Sequence, residues 1–434
     1  MQKPLASRLV VLALSCVLTA AGQAQSAKLT LADALRMAKD HNGQIASARA
    51  SVRAADARAK QAWGAFLPSI TPSVNYSDQK TEALTGFPKG TFVQSGATTQ
   101  VRGTWQLLDS GERDLNFRSA RRSYDAEQLA SLQTLRDTLF TVHSQYYEAL
   151  RSQELLKVTE AQKKRAQDVV AQTKAQIKVG DAAEKDWYQP EADALNAEVD
   201  RLSALAQQKK AEANLRATIG LAQADEMPQL ETSGEPTEPP AMEDRKTVLA
   251  EGMKNRADLQ SSRKRLEAQE LGLRLTKLNA GITWSVDLSY TKQFSAENLN
   301  NRVLGFSASV PLFDGGRSRQ QIREGSANLE ASRKQLEQNE RQAQADIESA
   351  YDALQLNYDR VKAAKAALDA SRVNYDKVSK ANQLGALGAD VVAVSTARVS
   401  LATAERNYIS AIYDYYISDV QLRLVTGRPL PGEE

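Results

Sequence analysis

Two periodicities alternate along the chain. In four short stretches the apolar residues fall at every second position. Ile70, Pro72, Val74 and Tyr76 alternate with Thr71, Ser73, Asn75 and Ser77, and Val101, Trp105 and Leu107 alternate with Gln100, Arg102, Thr104 and Gln106. The same spacing returns in Ile282, Trp284, Val286, Leu288 and Tyr290, and in Leu304, Phe306, Ala308, Val310 and Leu312. Period two with one apolar and one polar face predicts strands at about 68–77, 99–108, 282–291 and 303–312, each facing two different media. Elsewhere the pattern is helical. Between Asp109 and Gly180 there is no proline and one glycine, Gly111; from Arg317 to Gly385 there is no proline and one interior glycine, Gly325. Each stretch predicts a helix of roughly 65 residues, or about 100 Å. Such a helix has no core of its own and must pack on others. Ile322, Leu329 and Leu336 are spaced by seven, as are Ile347, Leu354, Val361 and Leu368, and Leu132, Leu139 and Tyr146. Heptads interrupted by a four-residue skip predict coiled-coil seams with a local change of twist.

The order of elements occurs twice. "LLDSG" at 107–111 faces "LFDGG" at 312–316, "YEAL" at 147–150 faces "YDAL" at 351–354, and "LRATIG" at 215–220 faces "LRLVTG" at 422–427. The order is kept throughout, as in a tandem duplication of a unit too long for a solenoid repeat. Each half reads helix, strand, strand, helix, tip, helix. The expected layout is repeat 1 over 25–221, a proline-rich acidic linker over 222–244, repeat 2 over 245–427 and a loosely held tail over 428–434. Residues 31–63 read as one helix ended by Pro68. At each strand-to-helix junction Asp109 or Asp314 is placed to cap the helix, and Gly111, Gly315 and Gly316 let the backbone turn. At the far ends Gly180 and Gly385 read as helix stops, with tips at about 178–186 and 382–390. Pro190, beyond the expected first turn, predicts a kink, with Trp187 beside it as a pivot.

Composition narrows the function. Charged residues make up 25% of the 434 residues and aromatics 6%, which favours long helices on narrow seams over one thick core. Residues 1–24 read as a secretory signal: Lys3 and Arg8, an apolar run from Leu9 to Ala21, and small residues before a cut after Ala24. Its loss takes the formal charge from +3 to +1, so no strongly charged partner such as nucleic acid is implied. The single cysteine, Cys16, lies in that signal, so the mature chain forms no disulfide. The two histidines, His41 and His143, have no ligand partner at metal-binding spacing, and no phosphate-binding glycine loop is present. No enzyme activity, cofactor or metal is expected. No apolar run of about 20 residues follows the signal, so any membrane role falls to the strands. Their length suits tilted membrane strands, their polar faces suit a water-filled lumen, and Tyr76, Trp105, Trp284 and Tyr290 suit an interfacial aromatic girdle. Four strands are too few to close a barrel, so a membrane reading demands an oligomer. A soluble sheet, a coiled-coil scaffold and a periplasmic adaptor remain open on pattern alone.

The signal, the duplication, "AFLPSITPSVNYS" at 65–77, "SVPLFDGGR" at 309–317, and "KVG" at 178–180 with Asp186 six residues after its glycine resemble the TolC family of outer membrane efflux proteins. The resemblance spans nearly the whole mature chain. It implies a mainly α fold with a membrane β-barrel part: a homotrimer, four strands per protomer in a 12-stranded barrel in outer membrane lipid, and a helical tunnel in the periplasm. It further implies docking at the tips onto a periplasmic adaptor and an inner-membrane pump, ABC or proton-driven, for export of small toxic compounds or secreted protein. By the same resemblance the periplasmic aperture is placed at Gly180, Asp186, Gly385 and Asp390. The chain departs from the family pattern where acidic residues are expected, at Val391 and Val394, and Asp390 stands one residue early; one acidic ring on Asp390 is then the expectation.

Overall fold

The computed structural model describes residues 28–83, 90–180, 183–221, 229–231, 243–294, 299–384 and 390–433. The signal at 1–24, most of the linker and Gly385 lie outside the described residues. The first repeat runs α1 (Leu31–His41), α2 (Gly43–Gly64), β1 (Ser69–Ala83), β2 (Gly90–Asp109), α3 (Glu112–Val179), a 3-10 turn (Glu184–Trp187) and α4 (Tyr188–Ile219). The second runs α5 (Arg245–Asn255), α6 (Ala257–Asn279), β3 (Thr283–Phe294), β4 (Asn300–Ser309), α7 (Arg317–Gln383) and α8 (Val391–Val425). The four strands form one antiparallel sheet in the order β1-β2-β3-β4, and the β2–β3 pairing joins the repeats.

Three expectations about boundaries need correction. The single helix over 31–63 is two, broken at Asn42, and its counterpart is broken at Arg256. Both break residues take extended ψ, 125° and 120°. Asn42 holds the break because its carboxamide accepts from the Gln44 and Ile45 N–H groups and donates to the Thr218 carbonyl at 2.8 Å. Arg256 holds the other through Asp258 at 2.7 Å and Asp346 at 3.5 Å. Second, β1 and β2 run well past 77 and start well before 99, pairing as far as Ala83 with Gly90. Backbone pairing continues where no apolar alternation marks it, so the polar hairpin was unreadable as strand. Third, β4 stops at Ser309, short of 312; Pro311 has no N–H to give the ladder.

The helices α3 and α7 have 68 and 67 residues, about 100 Å each. The heptad positions Leu329, Ile347, Leu354, Val361 and Leu368 are buried, as are Leu139 and Tyr146, whereas Leu132, Ile322 and Leu336 are half-buried. The main core lies where α1, α3, α4 and α8 meet, around Leu35, Leu139, Val142, Leu150, Leu215, Ile219 and Val420. Tyr147 stacks on Tyr416 there, with centroids 5.2 Å apart. The buried Tyr146 hydroxyl lies 2.9 Å from the carbonyl oxygens of Leu29 and Glu231, which pins the segment before α1 to the linker.

The duplicated glycines after α4 and α8 seat each repeat's last helix on its own helix break. Gly220 has φ 77° and a Cβ there would stand 2.7 Å from His41 Cβ; Gly427 has φ 68° and its Cβ would stand 2.6 Å from the Asn255 carbonyl oxygen. The tail, expected to be loose, is docked: Leu430 is buried, and Glu433 pairs with the nearly buried Arg136 at 3.0 Å. The sequence gives no hint of this because the partners lie about 300 residues apart. The buried His143 donates from Nε2 to the Pro431 carbonyl at 3.2 Å, and its Nδ1 is buried with no hydrogen-bond partner among the described residues. Burial pushes the His143 pKa down, and the Pro431 contact offsets that only in part.

Gly220→Ala and Gly427→Ala should each destabilise the helical body by about 1–3 kcal/mol or more. Gly111→Ala, whose Cβ would meet no atom within 4 Å, should cost less; thermal unfolding in detergent ranks the three. Because the folded His143 pKa lies below its unfolded value of about 6.5, the unfolded chain binds more protons as pH falls, and stability is lost from about 6.5 downward. His143→Phe should therefore flatten the fall in melting temperature between about pH 7.5 and pH 5; an unchanged slope would refute the assignment.

Candidate functional site: a two-faced sheet and a helical tip

The register gathers most of the apolar strand residues on one face; Val303, opposite Ser289, is on the other. Trp284, Val286, Leu288 and Tyr290 of β3 stand opposite Ala308, Phe306, Leu304 and Arg302 of β4. On the other side Val286 and Leu288 face Leu108 and Trp105 of β2, and Gly103 and Val101 of β2 face Ile70 and Pro72 of β1. A register shift between Gln106 and Leu108 places Leu108, and not the expected Leu107, on this face. The opposite face carries Thr71, Ser73, Asn75, Gln100, Arg102, Thr104, Ser285, Asp287, Ser289 and Ser307, and its hydroxyls bond one another: Ser69 with Thr104 at 2.7 Å and Ser285 with Ser307 at 2.9 Å. The apolar face is bare. Ile70, Val74, Tyr76, Leu304 and Phe306 are 69–73% exposed. A patch of this extent marks a contact with lipid or protein. Among the described residues both sheet edges, β1 and β4, are unpaired.

The junctions explain how a strand passes directly into a long helix. Asp109 Oδ1 accepts from the Gly111 N–H at 2.9 Å, and Oδ2 accepts from the Arg113 N–H at 3.2 Å and its Nε at 2.7 Å. Asp314 repeats this with the Gly316 N–H at 2.9 Å and the Ser318 N–H at 2.8 Å. The cap position itself is the glycine, Gly111 at φ 96° or Gly316 at φ 84°, with Gly315 also at positive φ; each aspartate sits two residues earlier. Ser318, through its hydroxyl and N–H, holds the Asp314 carboxyl below the usual range. Arg113 was not anticipated. It also donates to the Gln106 carbonyl at 2.6 Å and lies over Phe66 at 5.0 Å, and the second repeat has serine at its place, so the duplication gave no signal.

At the far end Gly180 terminates α3 at φ 84°. Asp186 is exposed in the 3-10 turn and accepts from the Ala183 N–H at 3.0 Å. Asp390 is exposed and N-caps α8, accepting from the Ala393 N–H at 2.8 Å. Val394 is buried. Pro190 does not kink a helix: α4 begins at Tyr188, which puts Pro190 in the first turn, where a missing N–H costs nothing. Trp187 sits at the start of α4, packed on Tyr188 at 5.1 Å and under Lys174 Nζ at 4.5 Å. Sequence reasoning missed the polar links between the repeats. Arg398 of α8, 3% exposed, donates to Asp193 of α4 at 2.8 Å, and the Ser395 hydroxyl bonds the same carboxylate oxygen. Its Nε and Nη1 are buried with no hydrogen-bond partner among the described residues. Arg165 of α3 pairs with Glu405 of α8 at 3.1 Å, and Arg406 with Gln162 at 3.0 Å. Pairs so far apart in sequence leave no local trace.

Among the described residues no group of His, Cys, Asp or Glu is placed to hold a metal ion, and no helix is long and apolar enough to cross a membrane. His41 ends α1 against Gly220 and His143 contacts the tail.

The outer membrane efflux protein BepC of Brucella suis biovar 1 (strain 1330) is 26% identical over 88% of this chain and 84% of its own. Outer membrane protein TolC of Vibrio cholerae serotype O1 (strain ATCC 39315 / El Tor Inaba N16961) is 24% identical over 92% and 90%. The solved structure of the outer-membrane channel OprN superposes with a TM-score of 0.81 at 17% identity, covering 92% of this chain and 90% of that one. The profile of the outer membrane efflux protein family matches residues 34–221 and again 248–428, one match per repeat. A bare apolar sheet face, unpaired sheet edges and two 100 Å helices thus occur in a chain that belongs to the outer membrane efflux protein family.

Proposed function

We propose that three copies of this chain form an export channel, each giving its four strands to a closed 12-stranded barrel in the outer membrane and its helices to a tunnel through the periplasm. The observation that carries this is the sheet. Its apolar face suits hydrocarbon, its hydroxyl-rich face suits a water-filled lumen, and its two free edges cannot stay unpaired in lipid. Pairing β4 of one copy with β1 of the next removes every edge. The chain supplies passage and no chemistry; it is a passive channel and not an enzyme, and the energy comes from a partner. The partners proposed are a periplasmic adaptor and an inner-membrane pump, ABC or proton-driven, meeting the tips. The cargo is a small toxic compound or a secreted protein.

The aperture is proposed at the tips, at Gly180, which ends α3, at Gly385, and at the exposed carboxylates Asp186 and Asp390. One acidic ring, on Asp390, is assigned. Opening proceeds by small shifts of α4 and α8 when a partner docks. The Asp193–Arg398 pair supports this reading, because it ties the two helices that must separate and leaves a buried guanidinium only partly satisfied.

Outer membranes extracted in mild detergent should yield a species of about three times the mature chain mass. A soluble periplasmic monomer or dimer would refute the channel. In planar bilayers Asp390→Ala should weaken cation preference. Asp193→Ala strands a buried charge, a loss of about 3–5 kcal/mol; it should raise the open fraction, and adding Arg398→Met should restore closure.

A further inference from the structure

The apolar face of the sheet ends in two cations at the hairpin end, away from the helical rod. Lys292 of β3 continues the row Trp284, Val286, Leu288, Tyr290, and Arg302 of β4 stands directly opposite Tyr290. The register leaves no choice of side: both belong to the apolar face and neither to the polar one. Lys292 and Arg302 are diagonal neighbours, about 7–8 Å apart. Each is held by a ring: Lys292 Nζ lies 5.1 Å from the Phe294 centroid and Arg302 Cζ 5.6 Å from Tyr290. Both are exposed, and neither pairs with a carboxylate among the described residues. The only other charge on this face among the described side chains is Asp78, on β1, two strands away and further out.

Depth follows from the strand. Eight residues separate Trp284 from Lys292, about 26 Å along the strand and about 20 Å along the membrane normal at the usual tilt. An apolar band in such barrels is about 25 Å tall, with aromatic girdles at its two rims. With Trp284 at the periplasmic rim, Tyr290, Phe294, Lys292 and Arg302 lie at the outer rim, where lipid head groups begin. A pair of cations facing lipid, flanked by rings, and absent from the periplasmic rim is built for phosphate.

We infer that Lys292 and Arg302, framed by Tyr290 and Phe294, bind the phosphate groups of the phosphorylated glucosamine lipid of the outer leaflet. This rests on the sheet being part of a membrane barrel. The asymmetry selects the occupant: among the described side chains of this sheet face the cations stand at the outer end alone, and the glycolipid of that leaflet carries phosphate monoesters of nearly two charges each, which complement two adjacent cations better than one phosphodiester does.

The test is native mass spectrometry of the purified, delipidated trimer with added diphosphoryl lipid A, its dephosphorylated form, or phosphatidylglycerol. The wild type should retain diphosphoryl lipid A in preference to both others. Lys292→Gln with Arg302→Gln should lower that retention roughly tenfold to thirtyfold, while Lys292→Arg with Arg302→Lys should keep it. Equal retention by the double glutamine variant, or of the dephosphorylated lipid by the wild type, would overturn the site. Equal retention of phosphatidylglycerol would overturn the glycolipid and leave a generic anionic surface. A wild-type chain absent from the outer membrane would remove the barrel reading and this one with it, whereas a trimeric membrane channel indifferent to both cations would remove this one alone.

Discussion

A strand in hydrocarbon must pair both of its edges, because lipid offers no substitute for a lost backbone hydrogen bond. Nearly everything else in this molecule follows from that. Four strands satisfy three of the four ladders they need, and the free edges of β1 and β4 commit the chain to copies of itself. Repetition supplies the strands cheaply: a hairpin from each half, joined by the β2–β3 ladder.

The second demand is that the sheet be joined to a rod without a flexible hinge. The junctions meet it with the same two parts in both repeats: an aspartate that accepts from two N–H groups, one at the glycine and one beyond it, and glycine at positive φ so the chain can turn in two residues. The rod then needs lateral support along its whole length. Apolar heptads provide most of it, and the broken helices before each hairpin provide the rest by seating against Gly220 and Gly427. The tail closes the core from the other side, with Leu430 buried and Glu433 on Arg136.

Towards the tip the packing changes character. Smaller apolar clusters such as Leu368, Leu401 and Ala404 are joined there by polar links between repeats, Arg165 with Glu405, Arg406 with Gln162, and Arg398 with Asp193. Such contacts hold geometry without the large apolar burial that would make separation costly. The largest apolar core lies at the middle of the rod, and polar pairs take a greater share of the contacts towards its end.

The sequence by itself determined the duplication, the two-faced strands, the long helices and the glycines that end or turn them, because each is written in neighbouring residues: period two, period seven, a missing proline, a repeated "DG". It determined the family from the same features. Only the tertiary structure decided what depends on distant partners. The breaks at Asn42 and Arg256 need Thr218 and Asp346; the docked tail needs Arg136 and His143; the buried Arg398 needs Asp193. The same holds for Leu108 replacing Leu107 on the lipid face, since a bulge is a relation between two strands. Local periodicity records which face a residue turns from its own backbone, and only the fold supplies what stands opposite.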